Sequence, residues 1–262
     1  MFALFTSTAA NRHTASSPAS AVAPAPQARP LDLPALVGPA AWARLPRAVQ
    51  RRFATAHADV TYEGVMELRC SRIGHLFAAL ARFWGGPLTH LNTTGLPATV
   101  RVSDNGRGGV VWERCFHSGG NSQSSSNGKD TGINSTDCTV RSTKELGTDG
   151  GLVERTDGGL SMSLDVLEED GALVFRSRRF FWALGRLRIP VPALLTPGTC
   201  RVAHTDLGAG QFRFTLSMVH PWWGETFHQS GVFTDPVANI DTDMHADTDA
   251  ATATHFNAPS LS

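Results

Sequence analysis

The hydrophobic rhythm of the chain changes once, near Pro97. Before it, GPAAWARLPRAVQRRFATAH repeats Trp42, Leu45, Val49 and Phe53 at helical intervals, with arginines on the other face. That spacing predicts one helix, or two short ones split near Pro46. VMELRC, Val65 to Cys70, is a short strand candidate. SRIGHLFAALARFWG then sets Ile73, Leu76, Phe77, Leu80 and Phe83 on one side of a second helix, with Ser71 as N-cap and Gly85 as stop.

Beyond Pro97 apolar and polar residues alternate. Strands are predicted at ATVRVS, GVVWERCF, CTVRST, GLVERT, LSMSLDVLEE, ALVFRSRRFFWA, TCRVAHTD, QFRFTLSMV and ETFHQSGVF. The segments DNGRGG, TDGG, EEDG and DLGAG between them supply the Gly, Asn and Asp of tight hairpins. The expected class is α+β: helices gathered at the front, then a long antiparallel meander that curls into a strongly curved sheet or partly closed barrel. No segment between the later strands is long enough for a crossover helix, which excludes a parallel dinucleotide-binding sheet.

Three polar stretches lie outside this pattern. Residues 1–30 form a Pro- and Ala-rich leader, 118–137 a Gly/Ser/Asn insert and 237–262 a polar tail; all three are expected to be disordered around one domain, 31–236. The leader also shares the acid-poor composition of a transit peptide, whereas MFALF is too short for a secretory core; the cytoplasm is the expected location. The insert's G-K-D-T lacks the spacing and following helix of a phosphate loop.

Charge narrows the partners. The 262 residues carry 23 Lys and Arg against 23 Asp and Glu, so no net field draws the chain to nucleic acid or anionic lipid. Cys70, Cys115, Cys138 and Cys200 have no zinc-finger spacing and read as buried or idle thiols, with a Cys115–Cys138 bridge as the alternative. No apolar run reaches the ~20 residues of a membrane span. RRFFWALGRLRIPVPALLTPG reads as a strand followed by a loop over one barrel end, or as a membrane-touching loop; its prolines exclude a long helix. No metal and no cofactor is expected, since His204, His220, His228 and Glu225 lack the fixed spacing of metal motifs.

The chemistry-bearing residues cluster in HPWWGETFHQSGVF, His220 to Phe233. Pro221 and Gly224 make HPWWGE a turn, after which Phe227, Gln229 and Gly231 alternate against Thr226, His228 and Ser230. His220 and Glu225 are candidates for a base and its orienting carboxylate; the alternative is a turn-fixing histidine and a glutamate paired with an arginine. WER, Trp112 to Arg114, and VER, Val153 to Arg155, place acid and base on opposite strand faces, so only one of each pair looks inward. Glu113 or Glu154 meeting Arg141, Arg176 or Arg178 inside would make a polar pocket floor; outside, the same residues form solvent-face ladders.

WERCF, GLVERTDGGLSMSLDV, EDGALVFRSRRFFWALG, IPVPALLTPG, VAHTD and FRFTLSMVHPWWGETFHQSGVFTD resemble, in this order, the domain-of-unknown-function 4166 family. The resemblance covers Pro39 to Pro236 and implies a family pattern of Trp112, Glu113, Arg114, Glu154, the block from Asp170 to Ser177, Pro190, Pro192, Pro197, Gly198, His204, His220, Pro221, Gly224, Glu225, Phe227, Gln229, Gly231 and Phe233. It also implies company with an NAD(P)-binding oxidoreductase domain of the saccharopine dehydrogenase type as a partner, an analogy from which no activity follows. The function expected is binding of a small apolar or amphipathic molecule, with Glu113, Arg114, Arg141, Glu154, His204, His220, Glu225 and Gln229 as ligand contacts. That requires an interior of at least a few hundred cubic ångströms. The alternative is an enzyme or reductase-associated domain using His220 and Glu225 as an acid–base pair, which requires the two side chains to meet at a pocket.

Overall fold

The computed structural model describes residues 29–54, 59–83, 91–117, 138–184 and 187–236; the expected leader apart from its last two residues, the insert and the tail lie outside these. Three short helices come first: α1 (Leu33–Val37), α2 (Pro39–Arg44) and α3 (Arg47–Ala54). The predicted split at Pro46 is observed: proline has no N–H to continue the preceding helix, and its carbonyl accepts the Gln50 N–H at 3.0 Å ahead of the first residue of α3. After β1 (Val60–Cys70) comes α4 (Arg72–Phe83), capped as expected by the Ser71 hydroxyl, which accepts from the Gly74 amide at 3.1 Å.

The remaining strands are β2 (Thr93–Asp104), β3 (Val110–Phe116), β4 (Cys138–Leu146), β5 (Leu152–Thr156), β6 (Leu160–Glu169), β7 (Ala172–Leu184), β8 (Leu187–Val191), β9 (Thr199–Gly208), β10 (Gln211–His220) and β11 (Gly224–Thr234). All pair antiparallel, in the order β6-β5-β4-β3-β2-β1-β11-β10-β9-β7-β8, and β6 pairs β7 as well. The sheet therefore closes on itself as a barrel of 10 strands, with β8 left as a flap on β7. Closure removes the unpaired edges that a long meander would otherwise expose. The β6–β7 joint shows why the local sequence permits it: Asp170 and Gly171 take φ of 49° and 78°, the left-handed pair of a two-residue hairpin.

The alternation read from the sequence becomes the barrel wall. Phe212, Phe214, Leu216 and Met218 of β10 face inward at no more than 8% exposure, as do Phe227, Gln229 and Phe233 of β11. One end, called lower here, carries the β6–β7 and β9–β10 turns and is plugged by α3. Phe53 enters the barrel there and packs against Trp112 and His204, with ring centroids at 6.1 and 4.9 Å. Beside it the buried Arg52 pairs with Asp235 at 3.5 Å and lies over the Phe212 ring at 3.8 Å. At the upper end α4 lies beside β1 and β11.

β7 does not keep one neighbour. Its lower half pairs β9 from Leu173 to Arg176, and its upper half pairs β8 from Phe180 to Leu184. A register shift at Ser163 and Leu164 marks the change, and Ser177 to Phe180 of upper β7 line an open cleft of about 440 Å³ with Ala193, Thr196 and Thr199. The segment expected as a strand and covering loop thus contains a second strand, β8, since Pro190 tolerates an edge position. Among the described residues no helix is long and apolar enough to cross a membrane.

Candidate functional site

Inward-facing positions of successive strands meet in one buried chamber. β3 supplies Trp112 and Arg114, β4 Val140, Ser142 and Lys144, β5 Glu154, β9 Cys200, Val202 and His204, β10 Phe214 and Leu216, and β11 Phe227 and Gln229. The chamber has a volume of about 70 Å³, room for roughly two water molecules. Toward the upper end it adjoins a second, apolar cavity of about 300 Å³ lined by Phe77, Leu80, Phe180, Trp182, Val191 and Leu195. Ala81, Leu160, Phe180 and Pro197 line both and form the neck between them.

The chemistry of the inner chamber is cationic on balance. Lys144 and Glu154 sit in register on neighbouring strands and pair at 3.1 Å, with side-chain exposures of 7% and 5%. Burial alone would raise the Glu154 pKa; the charges of Lys144, and of Arg114 at a distance, outweigh it and hold the carboxyl below its ordinary value. Lys144 Nζ also lies 5.2 Å from the centre of the Trp112 ring and 5.5 Å from that of Phe175. Arg114, 9% exposed, is stacked 5.4 Å from the Phe214 ring. Among the described residues its Nε has no hydrogen-bond partner, and Glu154 acts on it only at a distance.

The other titratable groups here are neutral. Burial, reinforced by Arg52, Lys144 and Arg114, pushes His204 well below the usual imidazole range, and its Nδ1 has no partner. Burial and then Glu154 push the Cys200 thiol up to about 12. Two cations therefore face one carboxylate in a buried space that opens only toward the neck.

Of the expected contacts, Arg114, Glu154, His204 and Gln229 come together in the chamber. Glu113 and Arg141 do not: they are register partners on the outer face of β3 and β4, one strand position away from the inward residues, and form the solvent-face ladder. Arg141 lines an outer groove with Arg107, Glu145 and Arg155. Glu154 meets neither Arg141, Arg176 nor Arg178 but Lys144; Arg176 pairs with Glu169 at 2.5 Å and Arg178 with Asp165 at 3.5 Å, both on the exterior.

The expected acid–base pair is not assembled. His220 is 1% exposed, stacks on Trp223 with ring centroids 4.1 Å apart, and its Nδ1 accepts the Trp222 backbone N–H at 3.1 Å. It is the turn-fixing histidine, and it lines neither chamber. Glu225 lies outside and pairs with His228 Nδ1 at 3.3 Å. The histidine trio is likewise separated, and among the described residues no three His, Cys, Asp or Glu side chains converge as metal ligands. Cys70, Cys115 and Cys200 are free thiols, so the Cys115 bridge is not formed.

Two parts of the site escaped the sequence reading. Lys144 falls just beyond the predicted end of its strand at Thr143, yet continuing the parity of Val140 and Ser142 by one step places it inward. The outer chamber depends on α4, whose apolar stripe is not all buried: Phe77 is 7% exposed, but Leu76 and Leu80 are 56% and 53% exposed. Leu195, Trp222 and Trp223 are exposed at the same end.

The family described as "Domain of unknown function (DUF4166)" matches residues 45–233 of the chain. No curated protein matches it.

Proposed function

The chain belongs to the DUF4166 family, and from its barrel geometry we propose that it binds a small amphipathic molecule, polar end inward. The observation that carries the reading is the joining of two unlike chambers at one neck. The inner one, at about 70 Å³, is too small alone for a ligand site, since such sites span ~300–1,000 Å³. The outer one, at about 300 Å³, brings the pair into that range. A polar interior behind an apolar entrance orients a ligand that has both characters. Exposed Leu80, Leu195 and Trp223 at the upper end give its apolar part a surface to approach.

The test uses the full-length chain and the neutral apolar fluorophore N-phenyl-1-naphthylamine. Saturable binding near one equivalent is expected. Ala81→Trp, which fills the neck, is expected to abolish it while the unfolding midpoint is retained. Absence of saturable binding, or equal binding by the Ala81→Trp variant, would refute the reading.

A further inference from the structure

Given that reading, we infer that the polar end of the ligand is a singly charged oxygen anion, a carboxylate, held by Arg114 with Lys144 beside it, and that its hydrocarbon chain runs through the neck into the outer chamber.

The argument is one of charge and partners. Arg114 is nine-tenths buried and lines the chamber, and among the described residues its Nε donates no hydrogen bond and it forms no ion pair, whereas Lys144 is already engaged by Glu154 at 3.1 Å. A guanidinium keeps its proton even when buried, so the charge cannot be shed by titration. An unpaired buried charge is costly, and such groups are ordinarily paired. His204 and the Cys200 thiol, both neutral, do not supply the missing anion.

The chamber wall thus carries one positive charge in excess, and a monoanion balances it. The fork of N–H donors on Arg114 matches the two oxygens of a carboxylate. Size points the same way. A chamber of about 70 Å³ takes a carboxylate and its first methylenes, but not the glycerol and phosphate of a membrane phospholipid. Leu160, Phe180 and Pro197 at the neck then meet methylenes rather than polar atoms.

The experiment is calorimetric titration of the full-length protein with decanoate and with decan-1-ol, which share a chain and differ in the head. Decanoate is expected to bind at least tenfold more tightly. Arg114→Met is expected to remove that preference. Glu154→Gln, which deletes the competing carboxylate, is expected to tighten decanoate further, and it serves if Arg114→Met does not fold. Equal binding of the two probes, a preference that survives Arg114→Met, or weaker decanoate binding by Glu154→Gln overturns the inference while leaving amphipathic binding intact. If neither probe binds, both fall.

Discussion

Replacing Lys144 by Met tests the electrostatics of the barrel interior most directly. Lys144 and Glu154 lie 3.1 Å apart with side chains 7% and 5% exposed. At that separation and an effective dielectric of ~20, their attraction is about 5 kcal/mol. Methionine keeps most of the volume, so the loss is electrostatic: Glu154 stays buried with only Arg114, at a distance, to offset its charge. Losing one partner of a buried pair costs about 3–5 kcal/mol, and Arg114 sets the lower end, ~3 kcal/mol. With a urea m-value of ~3 kcal/mol/M, the midpoint falls by about 1 M.

The pH dependence follows from the same pair. In the wild type the Glu154 carboxyl lies below its ordinary 4.5, so its contribution is fully present above pH 4.5 and is lost as pH falls through the lowered value. Without Lys144 the strongest opponent of burial is gone and the pKa moves upward, so the penalty of Lys144→Met grows with rising pH. The assay is urea unfolding followed by tryptophan fluorescence at acid and neutral pH. The double variant Lys144→Met with Glu154→Leu should recover most of the loss, because an apolar pair carries no stranded charge. A loss under ~1 kcal/mol, typical of an exposed pair, or a double variant no more stable than the single one, would refute this account.

Two further predictions concern the barrel ends. Tyr62 is the one tyrosine of the chain, and burial, then Asp235, raise its phenol from 10 to about 12 against the opposing Arg52. A folded-state pKa above the unfolded one means stability present below pH 10 and lost as pH rises through about 12, a change of about 2–3 kcal/mol; a phenolate absorbance midpoint near 10 in the folded protein would contradict it. At the upper end, Gly198 has φ of 110°, and an added Cβ would lie 2.3 Å from the Val219 carbonyl carbon and 2.4 Å from the His220 nitrogen. Because backbone cannot yield there, Gly198→Ala should cost about 3 kcal/mol or more, lowering Tm by roughly 6–12 °C; an unchanged melting curve would show that β9 and the β10–β11 turn do not approach as described.

The site residues show where sequence reading succeeds and where it stops. Parity along a strand is a local property, so the inward set Phe212, Phe214, Leu216 and Met218 and the pairing of Phe227 with Gln229 on one face were legible. The same parity separates Arg114 from Glu113 and Ser142 from Arg141, once it is known which face is inside. That choice depends on closure, and closure depends on β6 meeting β7 as well as β5. His220 and Glu225 stand five positions apart in one turn, but the register shift after Met218 turns one beneath Trp223 and the other to solvent. Proximity along the chain did not translate into contact.

The sequence alone determined the class of elements, their order, the hairpin joints and the alternation that makes a barrel wall, because each follows from interactions within a few residues. Only the tertiary structure decided that ten strands close, that upper β7 parts from β9, and that Arg114, Lys144 and Glu154 from three strands share one chamber. Those outcomes rest on contacts between residues far apart in the chain. A free cation or a paired one differs by a single neighbour across the sheet, and no local pattern encodes that neighbour.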